Sequence, residues 1–534
     1  VENQHDLEFD CVVIGSGFGG AVSAMRLTQK GYRVAVLESG KRFRSDDYAR
    51  TNWDLPRYFW APLLRCFGIQ KITLLKGVFV LHGSGVGGGS LVYANTLMRP
   101  KPEVFRQGYW PQQIDWSAEL EPHYLIAKRM LGSRLNPSEF EADRLLHTLG
   151  EKLGVAHTYK KTEVGVYFGK PGETVADPYF GGEGPQRTGC ILCGGCMVGC
   201  RHGAKNTLDQ NYLYFAEKWG ARIYPETRAT RITPLASGGF RVESQKSTSW
   251  LQSRGPSFRA RKVIVAASVL GTVALLLRNR DRYRTLPALS SKLGAHVRTN
   301  GESLLGATSF DAHRKLSQGI AIGAVIEPDA QTKIETVRYS SGSSLMRLLA
   351  VPLTPNGTRL TRPLKLVHRM LSRVTELFKL ALISDWANRS VILLVMQTIE
   401  SEMKLRLGWG SALRGNPGDK RPPSYLPIAQ RSCEIVANEV NGVAQNVIPE
   451  VVAGTSATAH ILGGCIMGTH ASNGVIDSSH EVFGYPGLYV CDGSVISSNL
   501  GVNPSLTILA LAERFASQFP ALKPERELHL TEHS

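Results

Sequence analysis

The stretch that most constrains this chain lies near its start. Residues 9–14, Phe-Asp-Cys-Val-Val-Ile, form an apolar run of strand length, and Gly15-Ser16-Gly17-Phe18-Gly19-Gly20 follows without a break. Ala21, Ala24, Met25 and Leu27 then give residues 20–30 a helical pattern that Gly31 ends; residues 32–37 read as a second strand, closed by Glu38. Strand, glycines, helix, strand and acid in that order predict a βαβ unit that holds a dinucleotide. Gly15 permits the tight turn, Gly17 lets a pyrophosphate approach the backbone, and Gly20 lets helix and strand pack closely, with Phe18 and Gly19 completing the loop. The anion then meets the free N–H groups and positive dipole end of the helix. Glu38 is placed to accept bonds from both ribose hydroxyls, which disfavours a 2′-phosphate. A glycine-rich turn without function is the alternative for the glycines alone; the ordered context argues against it.

A length of 534 residues is enough for more than one domain. With 43% hydrophobic and 20% charged residues, the chain as a whole is neither disordered, collagen-like nor a coiled coil. No apolar run reaches the ~18 residues of a membrane span, and the N-terminal residues lack a basic stretch leading into an apolar core, so no signal peptide is expected. The expected location is cytoplasmic, with peripheral membrane contact as an option. The formal charge of +17 favours acidic partners. There is no nucleic-acid motif and no block of like charge, so nucleic acid is not among the expected partners.

A second glycine-rich loop, His82-Gly83-Ser84-Gly85-Val86-Gly87-Gly88-Gly89-Ser90, lies between the apolar runs Val78-Phe79-Val80 and Leu91-Val92. So many glycines imply close approach of backbone to something flat or anionic; the flanking strands argue against a flexible linker. Near the other end, Leu488-Tyr489-Val490-Cys491 reads as a strand leading to Asp492-Gly493-Ser494, and Gly501-Val502-Asn503-Pro504 precedes a helix over residues 505–515. Asn503 reads as its N-cap and Pro504 as its first residue. A helix so placed aims its positive end at what lies before it and would stabilise an anionic reduced flavin.

Taken together, residues 15–38, the loop at 83–90, His460-Ile461-Leu462-Gly463-Gly464, Asp492-Gly493 and Asn503-Pro504 resemble the glucose–methanol–choline (GMC) family of FAD oxidoreductases. The His…Asn pairing, in place of His…His, is similar to the bacterial cholesterol oxidase branch. The resemblance implies an α/β fold: a discontinuous Rossmann-type FAD-binding domain and a substrate domain built on an antiparallel sheet. Residues 263–277 match that family's later strand–turn–helix beside FAD. The cofactor-binding residues implied are Gly15, Gly17, Phe18, Gly19, Gly20, Glu38, Gly83, Gly85, Gly87, Gly88, Gly89, Ser90, Asp492, Gly493, Asn503 and Pro504. We divide the chain into FAD segments 1–50, 71–110, 220–310 and 455–525, a substrate domain at 311–454 and an excursion at 160–218.

Oxidising an alcohol removes a proton from oxygen and a hydride from carbon; the flavin takes the hydride and a group titrating near neutrality takes the proton. By position, His460 matches the family's active-site histidine and is assigned the alcohol oxygen; Asn503 matches its asparagine and can contact that oxygen or the flavin edge. Cholesterol oxidases also shift a ring double bond, moving a proton between two carbons on a buried carboxylate. Glu335 is the positional candidate, with an exposed surface glutamate as the alternative. The expected substrate is a bulky apolar secondary alcohol, first a 3β-hydroxysteroid. A terpenoid or sugar alcohol is a second option, and a flavin carrier without substrate chemistry a third.

Four of the nine cysteines crowd into Cys190-x2-Cys193-x2-Cys196-x3-Cys200, the spacing of a bacterial ferredoxin run with Arg201 where that motif has Pro. This predicts one iron–sulfur cluster, 4Fe–4S or 3Fe–4S, passing electrons to an acceptor protein or quinone, with oxygen as the other acceptor. Structural zinc and disulfides are the alternatives. Two further segments suit a greasy substrate. Residues 53–67 are rich in aromatics, as a lid or as packing. Residues 363–380 place Leu364, Val367, Leu371, Val374 and Phe378 on one helical face with Lys365, Arg369, Arg373 and Lys379 elsewhere, as a membrane-surface helix or a cover for the core.

Overall fold

The computed structural model describes residues 6–249, 253–418, 420–528 and 530. Residues 1–5 and 250–252 of the expected FAD segments lie outside them. The first apolar run is the strand Leu7–Ile14, whose last four residues are all buried. A strand covered on both faces reads as a continuous apolar run, which is the pattern of a parallel sheet between helices. It lies between Val34–Leu37 and Phe258–Val265, both parallel to it; Arg222–Tyr224 extends the sheet beyond Val34–Leu37.

The strand Phe258–Val265 has two neighbours on its far side. Its C-terminal half pairs in parallel with Leu488–Val490, and its N-terminal half pairs antiparallel with Phe240–Lys246, which returns as Thr227–Pro234. Five parallel strands thus come from four separated stretches of chain. Helices Phe18–Gln29, Ser268–Leu277 and Ser505–Ser517 start beside that sheet. The first and last are tied by Arg26, whose guanidinium meets the buried Glu513 carboxylate at 2.7 Å.

A second sheet of seven strands is antiparallel throughout, in the order Ala350–Pro352, Gly442–Val447, Ser303–Ser309, Ser390–Gln397, Thr332–Val337, Ile322–Asp329, Lys160–Lys161. One face packs Leu305, Ile334, Leu393 and Val395 against helices Glu141–Lys152 and Pro427–Glu439. The other carries Ile322, Val337, Ile392 and Leu394 and walls a large cavity. Because strand side chains alternate, Glu335, between Ile334 and Thr336 and paired with Leu394, falls on the cavity face. Sheet membership leads us to place residues 303–309 with the proposed substrate domain instead of the 220–310 segment. A third small sheet joins Gln70–Leu75, Val78–Gly83 and Ser456–Thr458. Its central strand, Val78–Gly83, leads into the second glycine loop and its edge strand Ser456–Thr458 into His460.

The expected single helix over 363–380 is two, Thr361–Ser372 and Val374–Ala381, broken at Arg373. Residues 53–67 do not line the cavity: Tyr58 and Trp60 are buried, while Leu63 and Leu64 face solvent. The segment is therefore no lid over that space.

Candidate active site

The two sheets enclose a cavity of about 600 Å³. At one end stand the first glycine turn and Glu38; at the other, apolar residues of the antiparallel sheet. Two of the glycine roles read from the sequence, those of Gly20 and Gly17, meet opposite surroundings. A Cβ on Gly20 would lie 2.0 Å from the Gly15 carbonyl, whereas one on Gly17 would meet nothing within 4 Å, leaving open space where a phosphate can approach. Gly88, at φ +53°, would drive a Cβ to 2.6 Å from the Gly17 Cα, so the two glycine loops touch backbone to backbone. Gly17 is the N-cap of Phe18–Gln29, with no capping side chain and no acid in the first turn. Its N–H groups are thus left to an anion.

Gly15, Gly17, Phe18, Gly19, Glu38, Gly83, Gly88, Gly89, Asp492, Gly493, Asn503 and Pro504 all line the cavity. Gly20, Gly85, Gly87 and Ser90 do not; they shape the loops behind it. Ser90 Oγ donates to the Gly87 carbonyl at 2.7 Å and accepts from Leu208 N–H at 3.0 Å. Sequence reasoning missed Ser16, which holds both loops to the acid. Its N–H and Oγ donate to Glu38 Oε2 at 3.1 and 2.7 Å, and Gly87 N–H donates to Ser16 Oγ at 3.1 Å. Lys71, Arg228 and Arg278 also line this end, a cationic wall suited to a pyrophosphate. Asp492 is buried; it accepts from Thr272 Oγ1 at 2.6 Å and Ser494 N–H at 2.8 Å, and burial raises its pKa.

Asn503 does not cap the last helix. Pro504 takes the N-cap position, and the Asn503 side chain turns away, donating from Nδ2 to Glu335 Oε2 at 3.3 Å. Glu335 is fully buried, which removes the alternative of a surface glutamate. Asn503 Oδ1 and Glu335 Oε1 are buried with no protein partner among the described residues. Two such orphans beside one cavity mark where a polar group of a ligand belongs. Burial pushes the Glu335 carboxyl up to about 7, against the pull of the Asn503 amide and of His460.

His460 lies on the same cavity, and its Nδ1 is hydrogen-bonded to Glu302 Oε1. Glu302 is fully buried, and its other oxygen accepts the Ala459 N–H at 2.8 Å. The carboxylate therefore fixes the ring as the Nδ1–H tautomer and leaves Nε2 to a ligand. Burial lowers the pKa of His460, but the Glu302 carboxylate outweighs it and holds the imidazole above its ordinary value. Glu302 has no motif of its own; the only hint in the sequence is a charged residue between Gly301 and the alternating strand Ser303–Ser309.

The four cysteines are free and line one small pocket together. Among the described residues, no group of three or more His, Cys, Asp or Glu is arranged to hold a metal ion. The metal expected at Cys190, Cys193, Cys196 and Cys200 thus gains no support as a single-ion centre, and the disulfide alternative is absent.

A parallel βαβ sheet with a bare helix N-terminus, beside a cavity where a histidine from the small third sheet, an asparagine before the last helix and a carboxylate of the antiparallel sheet come together, defines a flavin-dependent alcohol oxidoreductase. Residues 10–53 match the FAD binding domain, and residues 181–280 and 425–512 match GMC oxidoreductase. The chain is 44% identical to a cholesterol oxidase of Mycobacterium tuberculosis over 96% of its length and 91% of that protein. It is 42% identical to one of Acinetobacter baumannii over 97% and 95%. It belongs to the GMC oxidoreductase family, and FAD is its cofactor. The crystal structure of pyridoxine 4-oxidase from Mesorbium loti shares the fold, with a TM-score of 0.63 at 16% identity, covering 96% of this chain and 99% of that one.

Proposed function

We propose that the chain oxidises the 3β-hydroxyl of a sterol to a ketone and then moves the ring double bond. Bound FAD supplies the hydride acceptor. Its ADP half would be held by the first glycine turn, Glu38 and the cationic wall, and its ring by the second glycine loop and the Asn503 end. His460 Nε2 accepts the hydroxyl proton while Glu302 stabilises the imidazolium that forms. The Asn503 amide orients the reacting oxygen. The observation that carries the reading is a buried carboxyl raised to about 7 that is hydrogen-bonded to Asn503 on the cavity wall and feels the charge of the His460 imidazole. Two relatives carrying the name cholesterol oxidase support the sterol itself.

Glu335 then takes a proton from the carbon next to the new ketone and returns it two carbons away. That needs the ionised form, so isomerisation rises with pH through about 7. In Glu335→Gln the unconjugated ketone accumulates: isomerisation falls by about 10²-fold or more while oxidation continues. The ultraviolet band of the conjugated ketone, followed at several pH values, checks both statements. Anaerobic addition of cholesterol should bleach the flavin. Bleaching by a sugar or terpenoid alcohol instead overturns the sterol, and bleaching by none overturns the enzyme reading. Electrons then leave for oxygen, or for an outside acceptor through the four-cysteine loop.

The substrate enters from an anionic lipid surface on this reading. Helices Thr361–Ser372 and Val374–Ala381 turn Arg362 and Leu366 inward and leave Leu364, Leu371, Val374 and Phe378 more than 60% exposed, so they do not cover a core. The Arg347 guanidinium donates to the Ile383 carbonyl at 3.2 Å, tying this patch to Met346, Leu349 and Trp386 on the cavity wall. Among the described residues, no helix is long and apolar enough to cross a membrane. Changing Lys365, Arg369, Arg373 and Lys379 together to Gln weakens co-sedimentation with phosphatidylserine vesicles by about 10²–10³-fold. Unchanged binding sinks the docking idea and leaves the chemistry standing.

A further inference from the structure

We propose that Cys190, Cys193, Cys196 and Cys200 hold one iron–sulfur cluster that relays electrons from the flavin cavity to an acidic one-electron carrier. The relay rests on the flavin reading above; the cluster does not. The first support is the loop itself. Four free cysteines that line one pocket of about 30 Å³ share a common space. A cubane takes one thiolate per iron, so it needs no iron with three of these side chains around it. This is how a four-thiol pocket coexists with the lack of any single-ion arrangement among the described residues. The chain turns left-handed at Leu192, Gly194 and Gly199, wrapping backbone around the pocket. Leu192 N–H donates to Cys190 Sγ at 3.4 Å, and the Gly195 and Ala321 N–H groups serve Cys193 and Cys196.

The second support is charge. A cluster held by four thiolates carries net negative charge. Arg50, Arg201 and Lys205 also line the pocket, offsetting the net negative charge of a ligated cluster.

The third support is position. Cys196 lines the thiol pocket and the next residue, Met197, lines the flavin cavity; Ser340 and Tyr339 divide in the same way. Consecutive residues facing opposite spaces make a thin shared wall. Lys205 Nζ donates to the Cys196 carbonyl at 2.7 Å and to the Leu91 carbonyl at 2.8 Å, fastening the cysteine loop to the end of the second glycine loop. On the outer side Cys193 is exposed, as are Ile191, Arg50 and Arg201. An exposed apolar side chain and two exposed guanidinium groups around one pocket fit an acidic redox protein. One alcohol oxidation releases two electrons and two protons. The cluster takes the electrons singly and reduces two carrier molecules in turn, and the protons go to solvent.

The test is the full chain purified without air and then incubated with ferrous iron and sulfide. Expected are iron and acid-labile sulfide at about four, or three and four, per flavin, with a paramagnetic resonance signal on dithionite reduction. Cys193→Ser and Cys196→Ser each alter or abolish that signal while flavin absorbance, which reports folding, is retained. Protein with full flavin but less than about half a sulfide per chain overturns the cluster, as does stoichiometric zinc. A cluster that stays oxidised while cholesterol bleaches the flavin overturns the relay alone. Iron and sulfide are read without any alcohol, so a wrong substrate and a missing cluster give different results.

Discussion

Exchanging His460 for Gln lowers the rate at which alcohol reduces the flavin by about 10²–10⁴-fold, the range for losing a positioned general base. Flavin content stays near one per chain, because the glycine turns and not this imidazole hold the cofactor. Glu302→Gln separates positioning from chemistry. Its carboxylate serves two donors at once, the His460 Nδ1–H and the Ala459 N–H. An amide has one oxygen to offer, so one donor must face its NH2 group. If that is His460, the proton moves to Nε2, which can then no longer accept from the alcohol. The carboxylate also holds the imidazole above its ordinary pKa. Its loss therefore moves the rising limb of the rate profile to lower pH while the plateau falls. A fall in kcat with that shift, and little change in KM, marks positioning; a uniform loss with an unmoved profile refutes it. Single-turnover flavin reduction across pH 5–10 checks both variants.

Gly88→Val strips the flavin. The position has φ +53° and its Cβ would meet the Gly17 backbone at 2.6 Å, with no flexible side chain there to yield. A β-branched residue held left-handed costs ~1–3 kcal/mol before the clash is counted. Relief requires the two glycine loops to part, and those loops build the cofactor site. Protein recovered with less than about a tenth of the flavin of the parent, and a thermal midpoint lowered by several degrees, is the expected result. The 450 nm to 280 nm absorbance ratio and a melt with added FAD measure it. Gly17→Ala is the contrast: its Cβ meets no protein atom, so the apo-protein keeps its midpoint while FAD affinity falls. A flavin-replete Gly88→Val protein would refute the contact between the loops.

Much of this site was legible in the residues because its first half is local. A parallel strand, a glycine turn and a helix N-terminus are contiguous in the chain, and apolar periodicity with missing Cβ atoms is a signal written in consecutive letters. The cysteine spacing and the exposed amphipathic stretch were visible for the same reason. His460, Asn503 and Glu335 were found only through a family resemblance. Asn503 shows the limit of local reading: its place before Pro504 reads as a cap, and the fold turns it toward Glu335 instead.

What the amino-acid order determined, then, is the nucleotide turn and the element types. What the tertiary structure decided is which far-apart groups meet. Ser16 joins two glycine loops to Glu38 across 71 and 22 residues. Glu302 reaches His460 across 158 residues, and Asn503 reaches Glu335 across 168. Each of these contacts depends on a strand's register and on which sheet face its side chain takes. A slip of one residue would send Glu335 to the other face of its sheet. Register is fixed by the packing of whole sheets, and no short stretch of sequence encodes it.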